Sequence, residues 1–212
     1  MKKRFTICLL FPFIWGSAIA DTVFVGKKGL VIMEAESTNS SLKKWKKKEG
    51  IEGYTGEAHL EFTGNKPAQG PAHSPLTYHF KVDKEGDYSL LIRANKRLED
   101  QPEDRCNDCY VRLEGDFSAT NNKRGAPLEF LKTDTKLFGG KAEGWGWTAR
   151  LDRDHKKYQP LYRLKPDVVY TWTISGRSQR FNMDRIIFHH SSVKAARAKD
   201  SKEVESSRVA LK

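Results

Sequence analysis

Apolar and polar residues alternate in short runs along most of this chain, the pattern of strands that bury one face. Tyr78, Phe80 and Val82 share one side of such a run. The turn residues Lys84-Glu85-Gly86-Asp87 follow, and Tyr88, Leu90 and Ile92 resume the alternation, which predicts a hairpin. Val111 and Leu113 repeat the pattern. Val168, Tyr170, Trp172 and Ile174 form the clearest strand face, and Ile186 with Phe188 predicts a last strand. Between residues 21 and 190 no segment carries a helical period. Many short strands separated by turn residues predict an all-β fold, an antiparallel β-sandwich, with a closed barrel as the second choice.

The two ends of the chain break this pattern. Lys2, Lys3 and Arg4 precede an apolar run from Phe5 to Trp15, and the small residues Ala18 and Ala20 stand before Asp21. A basic head, a short apolar core and small residues at a cleavage point predict an export signal over residues 1–20. The expected location is therefore secreted or periplasmic. Residues 192–212 are dominated by Lys, Arg, Ala, Ser and Glu, and are expected to form a basic tail, disordered or weakly helical. The sandwich would occupy residues 21–191, enough for one domain with a full core. No later run is long and apolar enough for a membrane span.

Charge changes the picture modestly. The 212 residues carry a formal net charge of +11, of which three positive charges belong to residues 1–20. The densest cluster is Lys43-Lys44-Trp45-Lys46-Lys47-Lys48. Basic residues around Trp45 invite nucleic acid as a partner, but export and the lack of a reader motif argue against it. Beyond Cys8, the only cysteines are Cys106 and Cys109. One such pair cannot build a four-ligand zinc cage. In an oxidising compartment a local Cys106–Cys109 disulfide is expected, with free thiols or a redox pair as alternatives.

Two segments at opposite ends of the expected domain, Val31-Ile32-Met33-Glu34-Ala35-Glu36 and Phe181-Asn182-Met183-Asp184-Arg185-Ile186-Ile187-Phe188, resemble the first and last strands of carbohydrate-binding modules of families six and thirty-five. Gly53-Tyr54-Thr55-Gly56, Gly86-Asp87-Tyr88-Ser89-Leu90 and the Tyr170 strand also fit that pattern, so the resemblance covers about residues 28 to 190. It implies a jelly-roll sandwich of the galactose-binding-like type. It departs from the pattern in the polar stretch from Arg97 to Cys109 and in the tail.

Glu34 and Glu36 lie two apart on a predicted strand, and Asp184 joins them if first and last strands are neighbours. Three converging carboxylates repel unless a cation holds them, and the resemblance implies a structural calcium ion at these positions. Sugar binding needs an aromatic ring for the C–H face of a pyranose and polar groups for its hydroxyls. The resemblance carries that role to Tyr54, Trp145 and Asn182; Trp147, two residues beyond Trp145, is a further candidate. Arg93, Asn95 and Arg177 could meet the same edge, where a basic surface would suit an acidic polysaccharide.

A glycosidase or lyase would need a placed carboxylate pair or a His or Tyr base. The histidines show no catalytic spacing, and neither G-x-S-x-G nor H-E-x-x-H occurs. The expectation is a monomeric module that binds polysaccharide without cleaving it. A small lyase of sandwich fold and an envelope module that binds protein are the competing readings.

Overall fold

The computed structural model describes residues 21–121 and 125–211, so the export signal expected at residues 1–20 lies outside the described residues. Among the described residues sixteen strands form two sheets. In spatial order the first runs Lys156–Tyr158, Arg150–Arg153, Thr135–Phe138, Asp108–Glu114, Tyr170–Gly176, His73–Lys81, Thr22–Val25, Arg208–Ala210. The second runs Trp45–Lys48, His59–Phe62, Phe181–His190, Gly86–Lys96, Pro160–Leu164, Ser118–Asn121. Leu30–Glu34 also pairs with Phe181–His190, and Gly146–Thr148 with Gly86–Lys96. Pairing is antiparallel except between Thr22–Val25 and His73–Lys81. The all-β sandwich expected from the alternation is therefore the observed architecture.

The alternation puts aromatic side chains between the sheets. Phe80 stacks on Phe188 with ring centroids 4.7 Å apart, and Trp172 meets Phe188 edge-on at 5.3 Å. Phe80 and Trp172 come from one sheet and Phe188 from the other, so these contacts join the layers. Offset and edge-on ring pairs add to the stabilisation from area burial.

The predicted hairpin is not formed. His73–Lys81 and Gly86–Lys96 belong to different sheets, and the turn between them is an arch that crosses the core. Tyr78 and Phe80 thus meet the layer that contains Tyr88, Leu90 and Ile92, rather than lying beside those residues on one sheet face. Both arrangements give the same alternation, because each strand buries one face.

Trp45 is buried, while Lys46, Lys47 and Lys48 are exposed on a strand at the edge of the second sheet. Lysines on an edge strand discourage pairing with another chain, which accounts for the basic run without a ligand.

The tail expectation is corrected. Residues 195–198 form one helical turn, and Arg208–Ala210 pairs antiparallel with Thr22–Val25, completing the first sheet. Between them, Ile32 N–H donates to Ser206 Oγ at 2.9 Å, and Ser206 N–H donates back to Ile32 O at 2.9 Å. Glu34 N–H donates to Glu205 Oε1 at 2.9 Å. Val193 and Ala198 pack on Leu30, Ile32 and Ile187, on the side of the second sheet turned away from the main core. The tail is thus an ordered strap, held chiefly by hydrogen bonds that a polar sequence supplies.

Cys106 and Cys109 are free thiols, both buried. Cys109 points into the core from the Asp108–Glu114 strand, whereas Cys106 sits at positive φ in the preceding loop, so the pair staples nothing. Burial raises both thiol pKa values, which keeps them protonated and unreactive. Among the described residues no helix is long and apolar enough to cross a membrane.

Candidate functional site

The second sheet turns a polar end outward beside its edge strand. In the His59–Phe62 strand, Leu60 and Phe62 enter the core, and His59 and Glu61 face the other way. Register then sets their neighbours. Lys48 lies opposite His59, Glu61 opposite Asn182, and Asn182 opposite Asn95. The register slips by one residue between Met183 and Arg185, so Asp184 is an extra residue in its strand. Such a bulge re-aims a side chain.

Asp184 uses that freedom to hold the loop carrying Tyr54. Its Oδ1 accepts from Thr55 N–H at 2.8 Å, and its Oδ2 accepts from Thr55 Oγ1 at 3.0 Å and Arg93 Nη1 at 2.6 Å. Thr55 Oγ1 also lies 2.8 Å from Glu34 Oε2, while Arg185 Nη2 pairs with Glu34 Oε1. Glu36 Oε1 accepts from Glu57 N–H at 2.7 Å. Gly56 is required here. It has φ +66°, and a Cβ on it would come within 2.1 Å of Glu36 Oε1.

The three carboxylates expected to share a cation therefore do gather, around Thr55 and Gly56. Two of the three are met by guanidinium groups, and as the side chains stand no group of three or more His, Cys, Asp or Glu among the described residues is arranged to hold a metal. Of their six oxygens only Glu36 Oε2 has no partner. An oxygen donor set with one open position and three carboxylates against two arginines is chemically compatible with a hard cation. Burial raises the pKa of Glu36, its backbone hydrogen bonds notwithstanding, and burial raises that of Asp184 against the pull of Thr55 and Arg93.

Beside this clamp, Tyr54, His59 and Trp145 stand in a row. The Tyr54 and His59 rings are 6.1 Å apart and the His59 and Trp145 rings 5.2 Å, both edge-on. Arg93 lies over the Trp145 ring at 5.5 Å. Asn95 buttresses the loop ahead of Trp145, its Nδ2 donating to Ala142 O at 3.2 Å and Gly144 O at 2.8 Å. The sequence thus placed Tyr54, Trp145, Asn182, Arg93 and Asn95 in one region, and the structure brings them together there. Arg93 and Asn95 act from behind, one on Asp184 and one on the loop.

Two expected residues lie elsewhere. Trp147 is opposite Arg93, but it packs beside Leu91 on the small apolar cluster under the tail, away from Tyr54 and His59. Arg177 pairs with Asp108 and lies over Tyr110 at 5.9 Å, an ion pair at another part of the surface. Strand alternation explains the first correction: Gly146–Thr148 begins after Trp145, which therefore belongs to the loop. Satisfaction of a half-buried charge explains the second.

An open hollow adjoins the row, its floor including His59, Glu61 and Arg97 and its rim Lys48; a second lobe continues past Gly50 and Ile51 to Asn95 and Gly144. The lobes enclose about 280 and 650 Å³. His59 is the residue that sequence reasoning missed. It is only 1% exposed, and neither ring nitrogen makes a hydrogen bond of normal geometry, although the Asn182 side chain lies close enough to interact with the ring. Burial lowers its pKa to about 4, with Lys48 acting in the same sense and Glu61 and Asn182 opposing, so the imidazole is neutral near pH 7. Trp145 Nε1 and Asn182 Oδ1, close by, are also buried without partners.

No family model matches the chain, and no curated protein sequence matches it. Among solved structures it is similar to carbohydrate-binding modules. A family 35 module from Clostridium thermocellum is 13% identical, with 76% of this chain and 98% of that one covered and a TM-score of 0.43. A β-1,3-glucan binding family 6 module from Bacillus halodurans is 12% identical, covering 79% and 98%, with a TM-score of 0.42. A mannanase from Podospora anserina that joins a GH26 domain to a CBM35 is 15% identical, covering 79% of this chain, with a TM-score of 0.49. The chain spans 29% of that mannanase.

Proposed function

We propose that this protein is an exported, non-catalytic module that binds a polysaccharide in the hollow beside Tyr54, His59 and Trp145. The observation that carries the reading is the set of four buried polar atoms that make no hydrogen bond of normal geometry: His59 Nδ1 and Nε2, Trp145 Nε1 and Asn182 Oδ1. They gather at one end of one sheet, against two half-buried aromatic rings and next to an open hollow. An unsatisfied buried polar atom costs about 1–3 kcal/mol. Sugars present the matching surface, an apolar C–H face edged by hydroxyls.

Binding without cleavage fits the carboxylates of the hollow. Glu61 Oε2 accepts from Arg97 Nε at 2.7 Å and is committed to that ion pair, and the other lining carboxylates, Glu52 and Glu143, are exposed at the far lobe rather than paired with it. Export rests on the character of residues 1–20. A structural calcium ion at Glu34, Glu36 and Asp184 is part of the proposal, supported by the partnerless Glu36 Oε2 and the surplus of carboxylates over arginines.

Affinity electrophoresis of the full chain through gels containing different polysaccharides, with calcium or with chelator, tests these readings. Retardation by at least one polysaccharide, reduced in Tyr54→Ala and Trp145→Ala, is expected. Migration unchanged in every gel would overturn the binding function. Melting curves that coincide in calcium and chelator would remove the ion and leave Arg93 and Arg185 as the counterions among the described residues.

A further inference from the structure

The chain is strongly basic, yet its hollow is not. The lining holds two cations, Lys48 and Arg97, against three carboxylates, Glu61, Glu52 and Glu143. Arg97 is moreover spent twice, on Glu61 at 2.7 Å and on Glu99. The neighbouring cations are also committed: Arg93 to Asp184, Lys96 to Glu103, and Arg180 to Glu99 and Asp100. Of the two lining cations only Lys48 has no ion pair among the described residues, and it stands exposed on the rim, where water screens it.

The four atoms without such a hydrogen bond below the hollow have a matching character. A neutral imidazole offers one N–H donor and one acceptor nitrogen, the Trp145 indole offers a donor and Asn182 Oδ1 an acceptor. Two donors and two acceptors are what sugar hydroxyls can satisfy, since each hydroxyl both donates and accepts. A carboxylate or sulfate only accepts. It could use the two donors, but it would press its charge against Asn182 Oδ1, the imidazole lone pair and the two lining carboxylates without an ion pair among the described residues, Glu52 and Glu143.

We propose that the hollow selects uncharged glycans and rejects uronic and sulfated ones, with the His59 imidazole as the side chain that reads a sugar hydroxyl. This rests on the polysaccharide-binding reading and narrows it. Most of the basic surplus of the chain lies outside the lining, in part at Lys46 and Lys47 of the edge strand, and does not recruit the ligand. Tyr54 and Trp145 flank His59 on both sides, so a sugar packed against those rings meets the imidazole at the floor of the hollow.

Isothermal titration calorimetry of the full chain tests this, using neutral oligosaccharides (xylo-, cello-, manno- and laminari-series) and acidic ones (oligogalacturonate, alginate and chondroitin sulfate fragments) at low and high salt. Saturable binding is expected within the neutral set, with an affinity indifferent to salt. His59→Ala should weaken it about tenfold, the equivalent of one lost hydrogen bond of about 1.4 kcal/mol. His59→Gln, which keeps a donor and an acceptor, should recover most of that loss and guards against a folding artefact. Salt-sensitive binding confined to the acidic set would overturn the inference while leaving a glycan-binding protein. Neutral binding untouched by both His59 variants would overturn the role of the imidazole. Binding to neither set would overturn the parent reading itself.

Discussion

Asp184 is the keystone of the clamp, and its removal should be measurable both as stability and as binding. In Asp184→Ala, Thr55 loses the acceptor for its N–H and Arg93, with a side chain 17% exposed, loses its partner. Removing one member of a buried ion pair costs about 3–5 kcal/mol. Arg93 keeps some water and the Trp145 face, so the low end, about 3 kcal/mol, applies. For a domain of this size that corresponds to a melting temperature lowered by about 6–12 °C. Asp184→Asn retains an oxygen for Thr55 and loses the charge, and should cost about half as much. Because burial already raises the pKa of Asp184, replacing both partners with apolar residues should be milder than either single change. A double-mutant cycle with Arg93→Ala should therefore give a coupling of at least about 3 kcal/mol, read from urea unfolding with an unchanged m value. Glycan affinity should fall in Asp184→Ala although the hydrogen bonds of Asp184 go to Thr55 and Arg93 rather than to the lining, since the Tyr54 loop is released. A cost below about 0.5 kcal/mol, or additive single effects, would refute the clamp.

Three further outcomes follow from the same geometry. Since burial lowers the pKa of His59 to about 4, its proton is taken up by the unfolded chain first; stability is full above pH ~6.5 and declines as pH falls toward 4. His189, lowered by burial, adds to the decline, while Glu36 and Asp184, raised by burial, oppose it nearer the carboxylate range. Urea melts across this window should show the decline, shallower in His59→Gln. Glu36→Gln keeps an acceptor for Glu57 N–H and deletes a costly buried charge. In chelator its melting temperature should equal or exceed that of the parent protein, whereas in calcium it should fall below, and a fall in both would contradict the reading of Oε2 as the open position. Deleting residues 192–212 uncovers Leu30, Ile32 and Ile187 and removes the bonds to Ser206 and Glu205. The melting temperature should drop and binding of a hydrophobic dye should appear; an unchanged melt would show the strap to be dispensable.

The strand faces were legible because burial of one side imposes a period of two, as at Tyr78 and Phe80 or Trp172 and Ile174. What that period does not encode is the partner of a strand, so the 84–87 turn read as a hairpin although it crosses between sheets. The tail was illegible for a related reason. Ser206 and Glu205 dock through hydrogen bonds to backbone N–H groups of Ile32 and Glu34, and polar residues carry no periodic mark of such docking. In the site, Tyr54 and Trp145 stood out as aromatics between glycines, and Asn182 and Asp184 through the pattern of the last strand. His59 did not, because a polar residue alternating with Leu60 and Phe62 reads as an ordinary solvent-facing position. Its burial comes from the Tyr54 and Trp145 loops, which approach from distant parts of the chain. Arg177 failed for the converse reason: its charge is consumed by Asp108, a partner that sequence spacing does not reveal.

The most direct test of the account maps bound sugar onto the fold by amide chemical shifts. The full chain, labelled with nitrogen-15, would be titrated with an oligosaccharide of the polysaccharide that retards it. The account predicts saturable shifts confined to residues 50–59, 93–97, 141–145 and 180–184, with the imidazole nitrogens of His59 among the largest. Shifts centred instead on Trp147 and the strap at residues 193–207, or on Arg177 and Tyr110, would contradict it.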